Sequence, residues 1–394
     1  MSNRTRKVFF IALCLSFFIL GIPVVLYSFG YRLDLKTKIL TESGGIFVRS
    51  EPADAKIFVD GIEKKNESGL LNAGTFISGV LPGIHKVKVT RDGYLSFALD
   101  TEIRPLKAES FDKLLLFPTA YESVAKGDIA TFFAEKNRVI IKDSTGKLRS
   151  GNRTLIGDEV LMLTADESRA LTINKGISSD TYYLVPLTGT GATVNINKTF
   201  SNLKSSKLNL PGEVPIRAIS LHPYDPEKIF ISTKAAFYAI DLKQNSISLI
   251  EDGVDRIMRT GSGFAITRGE SLFFYNLTLR SESASIGVPT DSKIFPAPTG
   301  KKVAIERGAM LEVYDADREK SLRFDISSVG NISEAFWHKD GHYLFMRGQN
   351  GLFMLQTDNE IMKPELIIKE TAKAAYGDGG LLYLFGKEIR RSVL

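Results

Sequence analysis

The chain has 394 residues, with 51 Lys and Arg against 45 Asp and Glu, a net charge of +6 and a pI near 9.1. The basic excess is mild and interleaved with acids, with no basic stripe broken by aromatics, so nucleic-acid binding has no support. The only cysteine, Cys14, excludes a disulfide scaffold and a thiolate zinc site.

The first element is an apolar run over residues 8–31 with no charged residue. Its length suits a membrane-spanning helix, which needs about 20 apolar residues. Arg4, Arg6 and Lys7 stand just before it, so the positive-inside rule places residues 1–7 in the cytoplasm and the chain from Arg32 outside. The expectation is a signal-anchor protein of the cell membrane, single-pass, with extracytoplasmic C-terminal domains. The competing reading is a cleaved signal peptide, whose apolar region is usually about 7–15 residues long. The nearest small-x-small exit here is Ser28-Phe29-Gly30. A lipoprotein signal at Cys14 would need a small residue where Leu13 stands. Residues 1–7 carry no signalling domain, which argues against an inward-reporting sensor.

Residues 32–44 read as a linker. Short alternating runs follow: Gly45–Ser50, Lys56–Val59, His85–Thr90 and Leu95–Leu99. Period-two alternation with β-branched residues is the half-buried strand signal. Asp60-Gly61 suits a tight hairpin turn with positive φ. Pro82-Gly83 and Asp92-Gly93 are equally strong turn dipeptides. These pieces predict a small β-sandwich over 45–118. Ser50-Glu-Pro52-Ala-Asp-Ala-Lys-Ile-Phe-Val-Asp60-Gly61, Leu81-Pro82-Gly83-Ile-His85-Lys-Val-Lys-Val89 and Asp92-Gly93-Tyr94 together resemble a PEGA domain over about Ile46 to Phe117. The sequence departs from that family at Ala53-Asp54, where the family has Glu-Gly, and at Gly74-Thr75-Phe76, where Thr-Pro is frequent. The resemblance implies a surface-exposed β-module of a prokaryotic envelope protein and no shared catalytic residue. Pro52, Asp60, Gly61, Pro82, Gly83, Gly93 and Tyr94 each have a structural explanation in turns, strand entry or packing.

From Lys126 onward one unit recurs: strand, turn, strand, turn, then a strand ending near Asp, Asn or Gln. Representative copies are Arg217–Leu221, Lys228–Ser232 and Phe237–Asp241, then Glu334–Trp337, His342–Met346 and Leu352–Gln356. Copies recur every 35 to 55 residues or so, near the blade period of β-propellers. Fourth strands are visible at Ser246–Ile250 and Leu366–Glu370. The predicted architecture is mainly β, with a C-terminal propeller-like domain of seven blades (range six to eight) over 119–394. Two tandem β-sandwiches are the alternative. The last copy ends without a fourth strand, and Tyr121–Ala125 is expected to supply it.

Four histidines are present: His85, His222, His338 and His342. His338 and His342 straddle a turn, so their rings should diverge rather than share a metal. Asp180, Asp241, Asp315 and Asp325 fall at strand ends, where acids cap turns. No nucleophile elbow, phosphate loop or zinc-protease helix motif occurs. The reading is a non-enzymatic binding or scaffold module without catalytic, cofactor or metal residues. It would contact an envelope polysaccharide or a protein partner through the propeller. The alternative is a propeller-fold hydrolase or lyase acting on envelope glycans, which would need two convergent carboxylates.

Overall fold

The computed structural model describes residues 3–34, 39–68, 73–189, 191–211, 214–261, 263–278, 281–283, 285–299, 302–377 and 379–394. The chain divides into two compact units, Met1–Ala120 and Tyr121–Leu394.

The first unit opens with helix α1 (Asn3–Ser28), which keeps Pro23 in its interior. Its Phe9–Ser28 stretch has a mean hydropathy of 2.8 and none of it is buried, which makes it long and apolar enough to cross a membrane. An anchor and a signal sequence share that property. The segment read as a linker instead carries an antiparallel hairpin, β1 (Tyr31–Asp34) with β2 (Ile39–Glu42). Its strands are short enough that their alternation passes for irregular sequence.

Two further sheets follow. One joins β3 (Gly44–Glu51), β6 (Thr75–Val80) and β9 (Ala108–Leu115), with β3 central. The other runs β5 (Ile62–Lys64), β4 (Lys56–Val59), β7 (Gly83–Thr90) and β8 (Phe97–Ile103). β3 and β9 pair in parallel, which demands a long crossover. The whole second sheet lies within that crossover. Alternation sends Ile46 and Val48 of β3, Ile57 of β4, Val87 and Val89 of β7, and Phe111 of β9 inward, all almost wholly buried. Each such side chain contributes about 1.5–3 kcal/mol relative to exposure. Phe97 of β8 meets Phe111 edge-on, with ring centroids 6.2 Å apart, so the two sheets share one core. The Asp60-Gly61 turn has φ of 51° and 80°, the two positive values a two-residue hairpin of this hand requires.

Among the described residues the second unit is a succession of seven antiparallel sheets, spanning 131–155, 159–195, 218–252, 256–287, 294–325, 334–369 and 373–392. Six of them take all their strands from one continuous stretch, laid side by side in chain order, except that in the fourth the last strand, Ile286–Gly287, pairs with Ser271–Asn276 beside Ser281–Glu282. The seventh has three local strands, and its fourth is β10 (Glu122–Lys126). β10 pairs antiparallel with the last strand, Glu388–Ser392, matching Glu122 to Arg391 and Lys126 to Glu388. The strand expected from Tyr121–Ala125 is therefore present, beginning one residue later.

The first strands of neighbouring sheets lie against one another from the first sheet to the fourth and from the fifth to the seventh. The first strand of the first sheet, Thr131–Glu135, also lies against that of the seventh, Lys373–Gly377. The fourth and fifth sheets are joined through Ala265, Leu272 and Phe274 packed on Val303 and Ile305. Similar apolar seams join the first to the second, the second to the third, the third to the fourth and the seventh to the first. No single sheet closes on itself.

Helix α2 (Ile196–Leu208) interrupts this regularity after the second sheet. Asn195 caps it by accepting from the Lys198 N–H at 3.0 Å, and Ile196, Phe200 and Leu203 bury one face. Phe200 packs edge-on against Tyr238 of the third sheet at 5.3 Å. The spacing of Ile196, Phe200 and Leu203 is a helical signal, which the strand repeat on either side conceals.

Candidate functional site

The residues singled out in the small module form a local framework. Pro52 follows β3 through a cis peptide bond. Asp60 accepts from the Lys86 N–H at 2.9 Å through Oδ1 and faces His85 Nδ1 at 2.6 Å through Oδ2. His85 Nε2 in turn lies 2.7 Å from the Leu81 carbonyl. The hairpin turn, the β7 entry at Pro82-Gly83 and the β7 strand are thereby tied together by one imidazole. Gly83 and Gly93 both have positive φ. Tyr94 bridges to Pro118, and its ring lies under the Arg91 guanidinium at 5.0 Å. Among these seven residues no nucleophile meets a base.

In the second unit His222 Nδ1 accepts from the Tyr224 and Asp225 N–H groups at 3.1 and 3.0 Å, and burial lowers its basicity. The proton of the neutral ring therefore sits on Nε2. His338 lies 2.9 Å from Asp340 and edge-on to Tyr376, whereas His342 pairs with Asp358. The two rings serve different carboxylates, and among the described residues no cluster of His, Cys, Asp and Glu is arranged to hold a metal. Asp241, Asp315 and Asp325 accept from the backbone N–H of Gln244, Asp317 and Ser327 in turns. The Asp180 carbonyl accepts from Asn197.

Three charged arrangements are not legible in the sequence. The first is a carboxylate pair. Glu251 and Glu282 both bind the Arg268 guanidinium, at 2.7 and 2.8 Å. Burial, with a further push from Glu251, raises the Glu282 carboxyl above its ordinary value despite the arginine. Both acids come from outer strands, Ser246–Asp252 and Ser281–Glu282, so the pair lies away from the first strands.

The second is an ion pair across the unit. Arg259 ends the first strand of the fourth sheet. Its guanidinium pairs with Glu135, at the end of the first strand of the first sheet, and donates to the Leu163 carbonyl of the second sheet at 3.0 Å. Glu135 also accepts from the Leu163 N–H at 2.9 Å. Burial lowers the Arg259 pKa. One guanidinium thus links three sheets at their first strands.

The third is a polar groove beside the connection before Ile294. Two adjoining cavities of 250 and 420 Å³ share Pro289 and Asp291. Arg217, Asp255 and Arg256 line the smaller, and Lys293, Glu306 and Arg307 the larger. The charges are held in place: Arg217 on Asp255 at 2.5 Å, Arg256 on the Ser292 carbonyl at 2.7 Å, Lys293 on Glu306 at 3.1 Å and Arg307 on Glu312 at 2.6 Å. Asp291 is exposed between them. A groove of pre-positioned donors and acceptors of both signs suits a ligand rich in hydroxyl or amide groups. Neither His nor Cys lines it.

One partly buried acid leads to a prediction. Glu365, on the outer strand Glu365–Lys369, is partly buried, and loss of water pushes its carboxyl up to about 7. The unfolded chain releases this proton near 4.5, whereas the folded chain keeps it until about 7. Stability from this group is therefore full below pH 4.5 and falls as pH rises to about 7, by on the order of 3 kcal/mol. Glu365→Gln should flatten that decline, raising the melting temperature at pH 8 but not at pH 4 in calorimetric scans.

No family model and no curated protein matches this chain. Among solved structures it is similar to PorZ, described as an essential bacterial surface component of the type-IX secretion system of Porphyromonas gingivalis, at 10% identity and a TM-score of 0.42. The similarity covers 76% of this chain and 41% of PorZ, so the chain spans about two fifths of that protein's length.

Proposed function

We propose that this is a single-pass, membrane-anchored extracytoplasmic envelope protein acting as a non-enzymatic binding platform. α1 is the anchor, the sandwich over 45–118 is a PEGA-like spacer, and the second unit is a seven-bladed β-propeller. The observation that carries the propeller reading is the order of the sheets: seven consecutive sheets among the described residues, the first strands adjoining from the first to the fourth, from the fifth to the seventh and from the seventh back to the first, with β10 completing the last. Short antiparallel sheets repeated radially are one way a β protein protects its edges. The binding reading rests on the groove at Arg217, Arg256 and Lys293, whose fixed polar groups suit an envelope polysaccharide or an extended peptide. The Glu251–Glu282 pair is the feature a glycan hydrolase would need, but both carboxylates are committed to Arg268 on outer strands.

The full chain in lipid nanodiscs, incubated with isolated envelope polysaccharides and proteins, tests this. Retention of one class, weakened at least tenfold by Arg256→Ala with Lys293→Ala, is the expected result. Cleavage of a polysaccharide abolished by Glu282→Gln would replace the binding reading with the enzymatic one.

A further inference from the structure

The β1–β2 hairpin, found where a linker was expected, begins three residues after α1 ends, and it is fixed to that end. Arg32 stacks on the Tyr27 ring at 3.5 Å and donates to the Tyr27 and Tyr31 carbonyls at 2.8 and 2.9 Å. The Gly30 carbonyl accepts from both the N–H and the hydroxyl of Ser43. Arg32 also fills the space beside Gly79 on β6, where a Cβ would come within 2.8 Å of Nε. Arg32 is therefore committed on one pleat face of β1.

The other face is different. Leu33 and Leu40 are direct cross-strand partners, so they share it with the neighbouring Tyr31–Glu42 pair. Leu33 is 58% exposed and Leu40 45%, beside a helix end where Phe29 is 69% and Tyr27 63% exposed. A two-stranded hairpin alone is marginal in water, and this one offers its apolar pair to solvent. Aromatic residues at the end of an apolar helix mark the headgroup level of a bilayer, where amphipathic rings partition. The chain itself thus names the cover. If α1 spans the membrane, the hairpin stands where the helix leaves it.

We infer that the β1–β2 hairpin is a second membrane contact, with its Leu33–Leu40 face seated in the headgroup and upper acyl region of the leaflet from which α1 emerges. The inference rests on α1 being the anchor. The hairpin acts as a foot that restricts tilting of the sandwich about the membrane exit, because it is bonded to the helix end and its Arg32 lies beside Gly79 of β6.

Single cysteines in a Cys14→Ser background test it in the full chain, labelled with an environment-sensitive fluorophore in phosphatidylcholine–phosphatidylglycerol nanodiscs. Leu33→Cys and Leu40→Cys report the hairpin, Phe17→Cys the helix and Glu63→Cys a solvent position on β5. The expected result is quenching at 33 and 40 by nitroxide lipids at least threefold stronger than at 63. Labels at 33 and 40 as wet as 63, with 17 quenched, would overturn the foot and leave the anchor standing. A label at 17 that escapes the lipid quencher would overturn both.

Discussion

Deleting residues 119–125 should lower the melting temperature of the second unit by about 5–10 °C, since a domain of this size shifts by roughly 2–4 °C per kcal/mol. This segment contains most of β10, the only strand of the seventh sheet that does not come from residues 373–392. Its ladder with Glu388–Ser392 is reinforced at both ends. Arg391 binds Glu122 at 2.6 Å and Lys126 reaches Glu388 at 3.1 Å. Arg390 lies over the Tyr121 ring at 4.1 Å. Val124 and Ala125 pack on the seam that joins the seventh sheet to the first. Removing the strand exposes the edge of Glu388–Ser392 and uncovers that seam, a loss of a few kcal/mol. The same ladder should be acid-labile. Hydrogen bonds from Ser123, Arg390 and Lys126 hold the Glu388 carboxyl down to about 2. Its contribution is complete above pH 4.5 and is lost as pH falls toward 2. An unchanged melting curve after the deletion would show that the seventh sheet does not depend on β10.

Glu135→Leu should destabilise the second unit strongly, by about 3 kcal/mol. It leaves the Arg259 guanidinium in a site where burial already disfavours its charge, with one carbonyl in place of a carboxylate. It also removes the acceptor for the Leu163 N–H. The double variant Glu135→Leu with Arg259→Leu should recover most of the loss, because replacing both members of a largely desolvated pair with apolar groups is often neutral. Urea unfolding of the two single variants and the double variant checks this as a thermodynamic cycle. Additive effects would show that the two side chains do not act as a pair.

Strand positions in the second unit are legible because the central strands of each sheet are short apolar or alternating runs and many turns are marked by Gly, Asp or Asn. Lys228–Ser232, Leu272–Asn276 and Leu311–Asp315 all fall within observed strands. The hairpin β1–β2 and the short strands near Arg153 and Val194 are not legible, since so few residues carry too little periodicity. Helix α2 is masked by the strand repeat around it. The charged arrangements are illegible for another reason. Arg259 and Glu135 belong to the fourth and first sheets, and Glu251 and Glu282 meet only because the third and fourth sheets lie side by side. No local spacing announces either pair.

The proposed topology, with α1 as the anchor and both β units outside the cytoplasm, is open to a direct test. Cys14 is the only native thiol, so Cys14→Ser gives a silent background. Lys243→Cys then places one thiol at an exposed turn of the second unit. Intact cells treated with a membrane-impermeant maleimide should label Lys243→Cys fully, with no gain on permeabilisation. Labelling that appears only after the membrane is opened would contradict the account.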